Sequence, residues 1–263
     1  MGVLNVTPDS FSDGGHYVQT EKAIDHGLTM ARDGADIIDV GGESTRPYSK
    51  KTSINEELDH VIPVIEALSR ELSIPISIDT NRSRVAKQAL AAGASIINDI
   101  SALRFDPDML SVAAGAGVPV ILMHMKGTPS TMQENPMYDD LIPEIVDFLK
   151  DAIDHAVKGG ISRDMLVVDP GIGFGKTFDH NLTIMRELPQ FSSLERPILL
   201  GTSRKAFIGH ILGKEVQERD TGSMATIAAG VMKGAHIVRV HNVKKSVETV
   251  KIIDAIKRGS VIG

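Results

Sequence analysis

Cysteine and tryptophan are both absent from this 263-residue sequence, and aromatic residues make up only 4 % of it. Without cysteine the chain can form no disulfide, no iron–sulfur cluster and no thiolate zinc site. No uninterrupted apolar stretch approaches the roughly 18 residues of a membrane span, and no charged-then-apolar signal opens the chain. We therefore expect an intracellular, cytoplasmic protein whose core consists of aliphatic side chains.

Strong charge of either sign is also lacking. The formal net charge is −6, which favours neither a nucleic-acid partner nor a membrane surface. A hydrophobic content of 42 % and a charged content of 24 % are ordinary for a globular protein. The length predicts one domain, residues 1–263, and a β/α barrel typically needs about 250 residues.

Short β-branched runs alternate with helical segments along the whole chain. The predicted strands are Val3–Val6, Asp36–Val40, Pro75–Asp79, Ser95–Asp99, Val118–Met123, Met165–Asp169, Pro197–Leu200 and His236–Val240. Glycines that end the helices stand before five of the strands, at Gly34, Gly93, Gly117, Gly160 and Gly234. Alternation of this kind indicates a parallel sheet with helices packed on it. Eight strand–helix units favour a closed (β/α)8 TIM barrel. The presence of the eighth unit distinguishes this fold from a doubly wound sheet.

The connection from Lys126 to Tyr138 stands out for its length and contains Gly127, Pro129, Asn135 and Pro136. Long loops in compact domains are often functional, but a tolerated surface insertion explains it equally well.

Several of the predicted strands end in polar residues, although strands buried in a core are usually apolar. Parallel strands are buried on both faces, and in a β/α barrel their carboxyl ends form the mouth of the active site. Any one of these residues could be a helix cap or a turn residue, but caps and turns need not gather at one end. The six residues, from five strands, are Asn5, Asp79, Asn98, Asp169, Arg239 and His241.

The glycine-rich segment Asp169–Thr177 invites a nucleotide-binding interpretation and does not fit it. The Walker pattern requires glycine at Pro170, and the dinucleotide pattern requires glycine at Lys176. Asp169 is better interpreted as an anchor for donor groups of a ligand. Nine scattered histidines form no recognisable transition-metal pattern, so His124 is interpreted as a structural residue.

Eight motifs occur in order along the chain. They are MGVLNVTPDSFSDGG (1–15), DVGGESTRP (39–47), SIDT (77–80), IINDI (96–100), LMHM (122–125), DPGIGFGK (169–176), GTSRK (201–205) and RVHNV (239–243). In order and spacing they resemble the dihydropteroate synthases over essentially the whole chain. The resemblance implies a β/α barrel and an enzyme of folate biosynthesis. Such an enzyme condenses 6-hydroxymethyl-7,8-dihydropterin diphosphate with p-aminobenzoate, giving 7,8-dihydropteroate and diphosphate.

The resemblance also implies roles for individual residues. The pterin would be bound by Asp79, Asn98, Met123, Asp169, Phe174 and Lys205. The diphosphate would be bound by Asn5, Thr45, Arg239 and His241, with Mg²⁺ as the cofactor and Asn5 as its protein ligand. The p-aminobenzoate slot would be bordered by Phe11, Thr45, Arg46, Pro47 and Ser203, with Ser10 in the same loop as Phe11. The catalytic residues would be Asn5, Lys205, Arg239 and His241.

The chemistry of these residues suits the implied substrates. A pterin presents a guanidine-like edge, with which a carboxylate pairs through two hydrogen bonds. Magnesium prefers oxygen ligands and substrate phosphates to an all-protein cage, so a single asparagine is chemically sufficient. The resemblance also implies a homodimer.

Two positions depart from the family pattern. The chain starts at Met1, where relatives usually have a few more residues, and we expect that end to be frayed. Ala206 replaces a serine of many relatives, which leaves only a backbone N–H for the p-aminobenzoate carboxylate. Two alternatives stay open: a methyltetrahydrofolate-dependent methyltransferase of the same superfamily, which has no use for a diphosphate site, and a non-catalytic pterin-binding paralogue.

Overall fold

The protein forms a β/α barrel. A computed structural model describes residues 1–6, 16–43 and 52–260, without the side chains of residues 16–18. The strands are β1 Gly2–Asn5, β2 Ile38–Gly41, β3 Ile76–Asp79, β4 Ile96–Asp99, β5 Val120–Met123, β6 Leu166–Asp169, β7 Leu199–Leu200 and β8 Ile237–Val238. The helices are α1 His16–Arg32, α2 Ile54–Glu71, α3 Ser83–Ala91, α4 Met109–Ala116, α5 Leu141–Lys158, α6 Phe178–Arg186, α7 Ala206–Leu212, α8 Asp220–Met232 and α9 Val243–Arg258.

The strands close into a ring, as the eight units predict. Strands β1 to β6 pair in parallel in chain order, and β7 pairs in parallel with β8. A parallel bridge between Val168 and Ile198 joins β6 to β7, and another between Gly2 and Val240 joins the β8 segment back to β1. The closed barrel is therefore confirmed over the doubly wound sheet.

The barrel interior has an apolar floor below a polar mouth. Side chains of Met1, Ile96, Ile121 and Leu199 form a buried cluster separate from the larger core between the barrel and its helices. Ile96 lies two residues before Asn98, so alternation along the strand puts both on the same face. The same strands therefore fill the barrel near their amino ends and present polar groups near their carboxyl ends.

The predicted strands and helix ends agree with the structure. Every predicted strand overlaps an observed one, with boundaries that differ by no more than two residues. Each of the five glycines predicted to end a helix has positive φ, the left-handed conformation that glycine adopts without a steric penalty.

The expected fraying of the first residue is wrong. Met1 is buried, its ammonium donates to the carbonyl oxygen of Val238 at 3.0 Å, and Val240 N–H donates to the carbonyl of Met1 at 2.9 Å. Met1 thus continues the β1 edge that closes the barrel. Among the described residues, no helix is both long and apolar enough to span a membrane.

Candidate active site

Polar side chains from four strand segments meet inside the upper part of the barrel. The Arg239 guanidinium lies between two carboxylates: its Nε donates to Asp39 Oδ2 at 2.6 Å, and its Nη2 donates to Asp79 Oδ2 at 2.6 Å. Asn98 Nδ2 donates to the same oxygen of Asp39 at 3.2 Å. Residues on β2, β3, β4 and just after β8 are thereby joined across the mouth.

Burial and opposite charges determine the electrostatics of this group. Burial raises the pKa of Asp79 to about 7, an effect that Arg239 opposes and the negative charge of Asp39 increases. Burial lowers the pKa of Arg239, but the negative charges of Asp39 and Asp79 have the larger combined effect and raise that pKa above its ordinary value. Arg239 is therefore charged throughout the physiological range, whereas Asp79 titrates near neutral pH.

The glycine-rich segment after β6 supplies the next part of the site. Gly171 N–H donates to Asp169 Oδ1 at 2.7 Å, so the carboxylate at the strand end holds the turn that follows it. Lys205 Nζ lies 4.4 Å from the centroid of the Phe174 ring, within range of a cation–π interaction. Phe174 also packs against a buried apolar cluster that includes Met123. The two predicted apolar walls are thus neighbours.

Both charged groups beside this segment have shifted pKa values. Burial raises the pKa of Asp169, against the Gly171 hydrogen bond and the charges of Lys205, Lys176 and Arg239. Burial, with a smaller contribution from the positive charge of Arg239, lowers the pKa of Lys205 to about 8, against the opposing charges of Asp169 and Asp79. Shifted titrations of this kind are typical of functional sites, although structural ion pairs also produce them.

The remaining predicted residues are only partly described. His241 Nδ1 lies 3.0 Å from Ser203 Oγ, which also accepts from the His241 N–H at 3.2 Å. Asn5 is half-buried at the end of β1, paired in register with Gly41. Ala206 is the exposed first residue of α7. Outside the described residues lie Ser10, Phe11, Thr45, Arg46 and Pro47.

The loop after β6 packs backbone to backbone on the segment after β5. Gly171 and Gly175 have φ of +72° and +65°. A Cβ atom at Gly171 would overlap the carbonyl oxygen of His124, and one at Gly175 would overlap that of Lys126. Only glycine fits at either position.

Comparison with known proteins agrees with this geometry. Residues 1–241 match the family model described as pterin binding enzyme. The dihydropteroate synthase of Synechocystis is 49 % identical over 98 % of this chain and 90 % of its own length. The dihydropteroate synthase of Bacillus subtilis is 48 % identical over 99 % of this chain and 90 % of its own length. The chain belongs to the dihydropteroate synthase family.

Solved structures of dihydropteroate synthases have the same fold. The Yersinia pestis enzyme in complex with a sulfonamide drug superposes with a TM-score of 0.93 at 44 % identity, covering 99 % of this chain and 94 % of that chain. The Xanthomonas albilineans enzyme with 4-aminobenzoic acid has a TM-score of 0.92 at 43 % identity, covering 98 % and 92 %. A complex of the latter enzyme with 7,8-dihydropteroate has a TM-score of 0.89 at 41 % identity, covering 98 % and 92 %.

Asp39 is the site residue that the sequence interpretation missed. It is fully buried and binds both Arg239 and Asn98, yet it stands in the middle of β2 and not at its end. The register pairs it with Ser77, on the same face as Asp79, and a carboxylate at such an interior position was a signal that could have identified it.

A magnesium ion fits the residues at the mouth only with help from the substrate. No group of three His, Asp or Glu side chains that could hold a metal occurs within the part of the chain that the structure describes. Asn5 offers one amide oxygen at a strand end, and Mg²⁺ accepts such a ligand when phosphate oxygens and water complete its shell.

Proposed function

We propose that the chain makes 7,8-dihydropteroate and diphosphate from 6-hydroxymethyl-7,8-dihydropterin diphosphate and p-aminobenzoate, in folate biosynthesis. The arylamine nitrogen forms a bond to the exocyclic methylene carbon of the pterin while the carbon–oxygen bond to diphosphate breaks. The diphosphate leaves with the bonding electrons, and the nitrogen loses one proton. The observation that carries the proposal is the pair of carboxylates on Arg239, the buried Asp39 and the half-buried Asp79, at the mouth of a barrel of this family.

The pterin half of the site is proposed to lie between β3, β4 and the loop after β6. Asp169 and Asp79 accept hydrogen bonds from pterin N–H groups, Asn98 adds an amide, and Lys205 donates to a pterin acceptor. The burial of Asp169 supports this assignment, because a carboxylate shielded from water binds a donor pair strongly. Met123 and Phe174 form the apolar walls.

The diphosphate half is proposed to use Arg239, His241, Asn5 and Thr45. Cations placed where charge develops on a leaving group lower the barrier of a substitution. Magnesium bound with Asn5 would neutralise part of the diphosphate charge. In the described site Arg239 is held by Asp39 and Asp79, so binding of diphosphate competes with these two carboxylates for the guanidinium.

The p-aminobenzoate slot is proposed to lie beside Ser203, with Phe11, Thr45, Arg46 and Pro47 as its other borders. Ser203 lies in the loop after β7, and its contact with His241, a residue of the proposed diphosphate half, supports this assignment.

A product assay with both substrates and Mg²⁺ tests the proposal. We expect dihydropteroate and diphosphate to form in equal amounts, and we expect Asp169→Ala to abolish most of the turnover while its circular dichroism is unchanged. Methyl transfer from methyltetrahydrofolate, or pterin binding without any turnover, would support the two alternatives instead. Neither alternative is favoured by an observation in the site.

We also propose a homodimer of single-domain subunits in the cytoplasm. Apolar side chains of α8 and α9 are exposed, among them Met232, Ile252 and Ile256, and exposed apolar surface often marks an interface. Sedimentation equilibrium measures the mass, and cell fractionation measures the location. A monomer at micromolar concentration would contradict the assembly.

A further inference from the structure

Lys176 is a buried cation that the proposed reaction does not use. Its side chain is 1 % exposed, although the residue belongs to the loop after β6. Nζ lies 2.8 Å from His124 Nδ1 and 2.9 Å from the carbonyl oxygen of Phe174, with the carbonyl oxygen of His124 at 3.4 Å. A lysine so deeply buried is costly unless its charge is matched.

The surroundings of Lys176 suit the ammonium form. An ammonium has three donors and no acceptor, and the three atoms around Nζ can all accept. Burial, with a smaller contribution from the positive charge of Lys176, lowers the pKa of His124 to about 2, so the imidazole is neutral and Nδ1 can offer its lone pair. Burial lowers the pKa of Lys176 well below its ordinary value and Lys205 lowers it as well, but the negative charge of Asp169 and the three acceptors around Nζ favour the charged form.

Lys176 is linked to Asp169 through Gly171. A Cβ atom at Gly171 would lie 3.3 Å from Lys176 Nζ, and Gly171 N–H donates to Asp169 Oδ1. Lys176 Nζ also donates to the carbonyl oxygen of Phe174. Lys176 is therefore next to both Asp169 and Phe174, which the proposed function assigns to pterin binding.

We propose that Lys176 is a positioning residue for the pterin pocket, whose buried ammonium orders the loop behind Asp169 and keeps that carboxylate ionised to receive pterin N–H groups. The inference rests on the proposed function, since it presupposes a pterin at Asp169. Lys205 and Arg239 also face Asp169, so loss of Lys176 reduces the stabilising positive charge without removing all of it.

The test compares the binding of 6-hydroxymethylpterin, by calorimetry, to the wild-type protein and to Lys176→Met between about pH 5.5 and about pH 8. Without the ammonium, Asp169 becomes protonated at a higher pH, so the variant should lose affinity as the pH falls. The ratio of variant to wild-type Kd should be several-fold larger at the low pH than at the high pH, because protonated Asp169 no longer accepts from the pterin. Titration of the free pterin is common to both proteins and cancels in the ratio.

Lys126→Met is the matched control. Lys126 lies two residues from His124 on an exposed loop, where its ammonium binds the Met137 carbonyl and Glu144. This variant should keep the wild-type Kd at both pH values. If Lys176→Met does not fold, Lys176→Gln replaces it, because the amide can still donate to the Phe174 carbonyl but carries no charge.

Each result has a distinct meaning. A loss of affinity of equal size at both pH values would overturn the proposal, since it would assign Lys176 to packing alone, and so would an unchanged Kd. A wild-type protein that binds no 6-hydroxymethylpterin would instead refute the proposed function.

Discussion

Replacing Asp39 by asparagine tests the ion-pair arrangement inside the barrel. The substitution preserves the shape of the side chain and removes its charge. Among the described residues, Arg239 is then left with Asp79 as its one carboxylate within ion-pair distance. We expect the folded protein to lose stability, because a buried charge deprived of a partner is not compensated by water.

The size of the loss follows from the burial of the two partners. Breaking a buried ion pair from one side typically costs about 3–5 kcal/mol. The Asp39 side chain is 0 % exposed, but that of Arg239 is 24 % exposed and keeps its contact with Asp79. We therefore expect the lower end of the range, about 3 kcal/mol. For a domain of this length that corresponds to a decrease in Tm of about 6–12 °C.

Chemical denaturation measures the free energy of unfolding, with Ser77→Ala as the control. Ser77 faces Asp39 in register on β3, and its Oγ is buried with no hydrogen-bond partner among the described residues. Removing that hydroxyl should change stability by less than about 1 kcal/mol. The control therefore separates loss of the ion pair from a general effect of altering the barrel interior.

A double-mutant cycle with Arg239→Ala isolates the pairwise interaction. We expect a coupling energy of at least about 1 kcal/mol between Asp39 and Arg239. If the coupling is zero within error, or if Asp39→Asn is as stable as Ser77→Ala, then Asp79 alone holds Arg239 and the reasoning fails.

Four other outcomes are expected at the ligand sites. Asp169→Ala should lose about 1.5–3 kcal/mol or more of pterin affinity by calorimetry while staying folded, and unchanged affinity would remove Asp169 from the site. Arg239→Ala should weaken binding of the pterin diphosphate far more than binding of a pterin without diphosphate; equal losses would mean that it only supports the barrel. For the pterin diphosphate, kcat/KM should fall as the pH drops below about 7, because Asp79 loses its charge there, and this inflection should vanish in Asp79→Asn; persistence would assign it to another group. Finally, p-aminobenzoate should bind more tightly in the presence of magnesium diphosphate, with reciprocal tightening of diphosphate, and equal affinities in the two titrations would show that the slots are independent.

The barrel was predictable from the sequence because its signals are local. β-Branched runs form the strands, and glycines such as Gly34 and Gly93 end helices by adopting positive φ. Strand-end residues such as Asp79 and Asn98 were identifiable because a parallel strand that is buried on both faces usually contains only apolar residues. These inferences need only a few neighbouring residues.

The contacts of Asp39 were not predictable in the same way. Its main partner, Arg239, is 200 residues away in sequence, and only closure of the barrel brings the two together. Lys176 was noticed only as the residue that breaks a dinucleotide pattern, since its burial depends on how two loops pack. The pairing of Met1 with β8 was not predictable either, because nothing nearby in sequence indicates it.

The backbone contact between residues 171–175 and residues 124–126 has an evolutionary consequence. Any side chain at Gly171 or Gly175 would overlap a carbonyl oxygen that cannot move without disturbing the end of β5. An amino-acid substitution at either position therefore disrupts the contact between the two segments and cannot merely adjust its shape. An inhibitor that makes its contacts with this backbone would leave fewer routes to resistance than one that depends on interchangeable side chains.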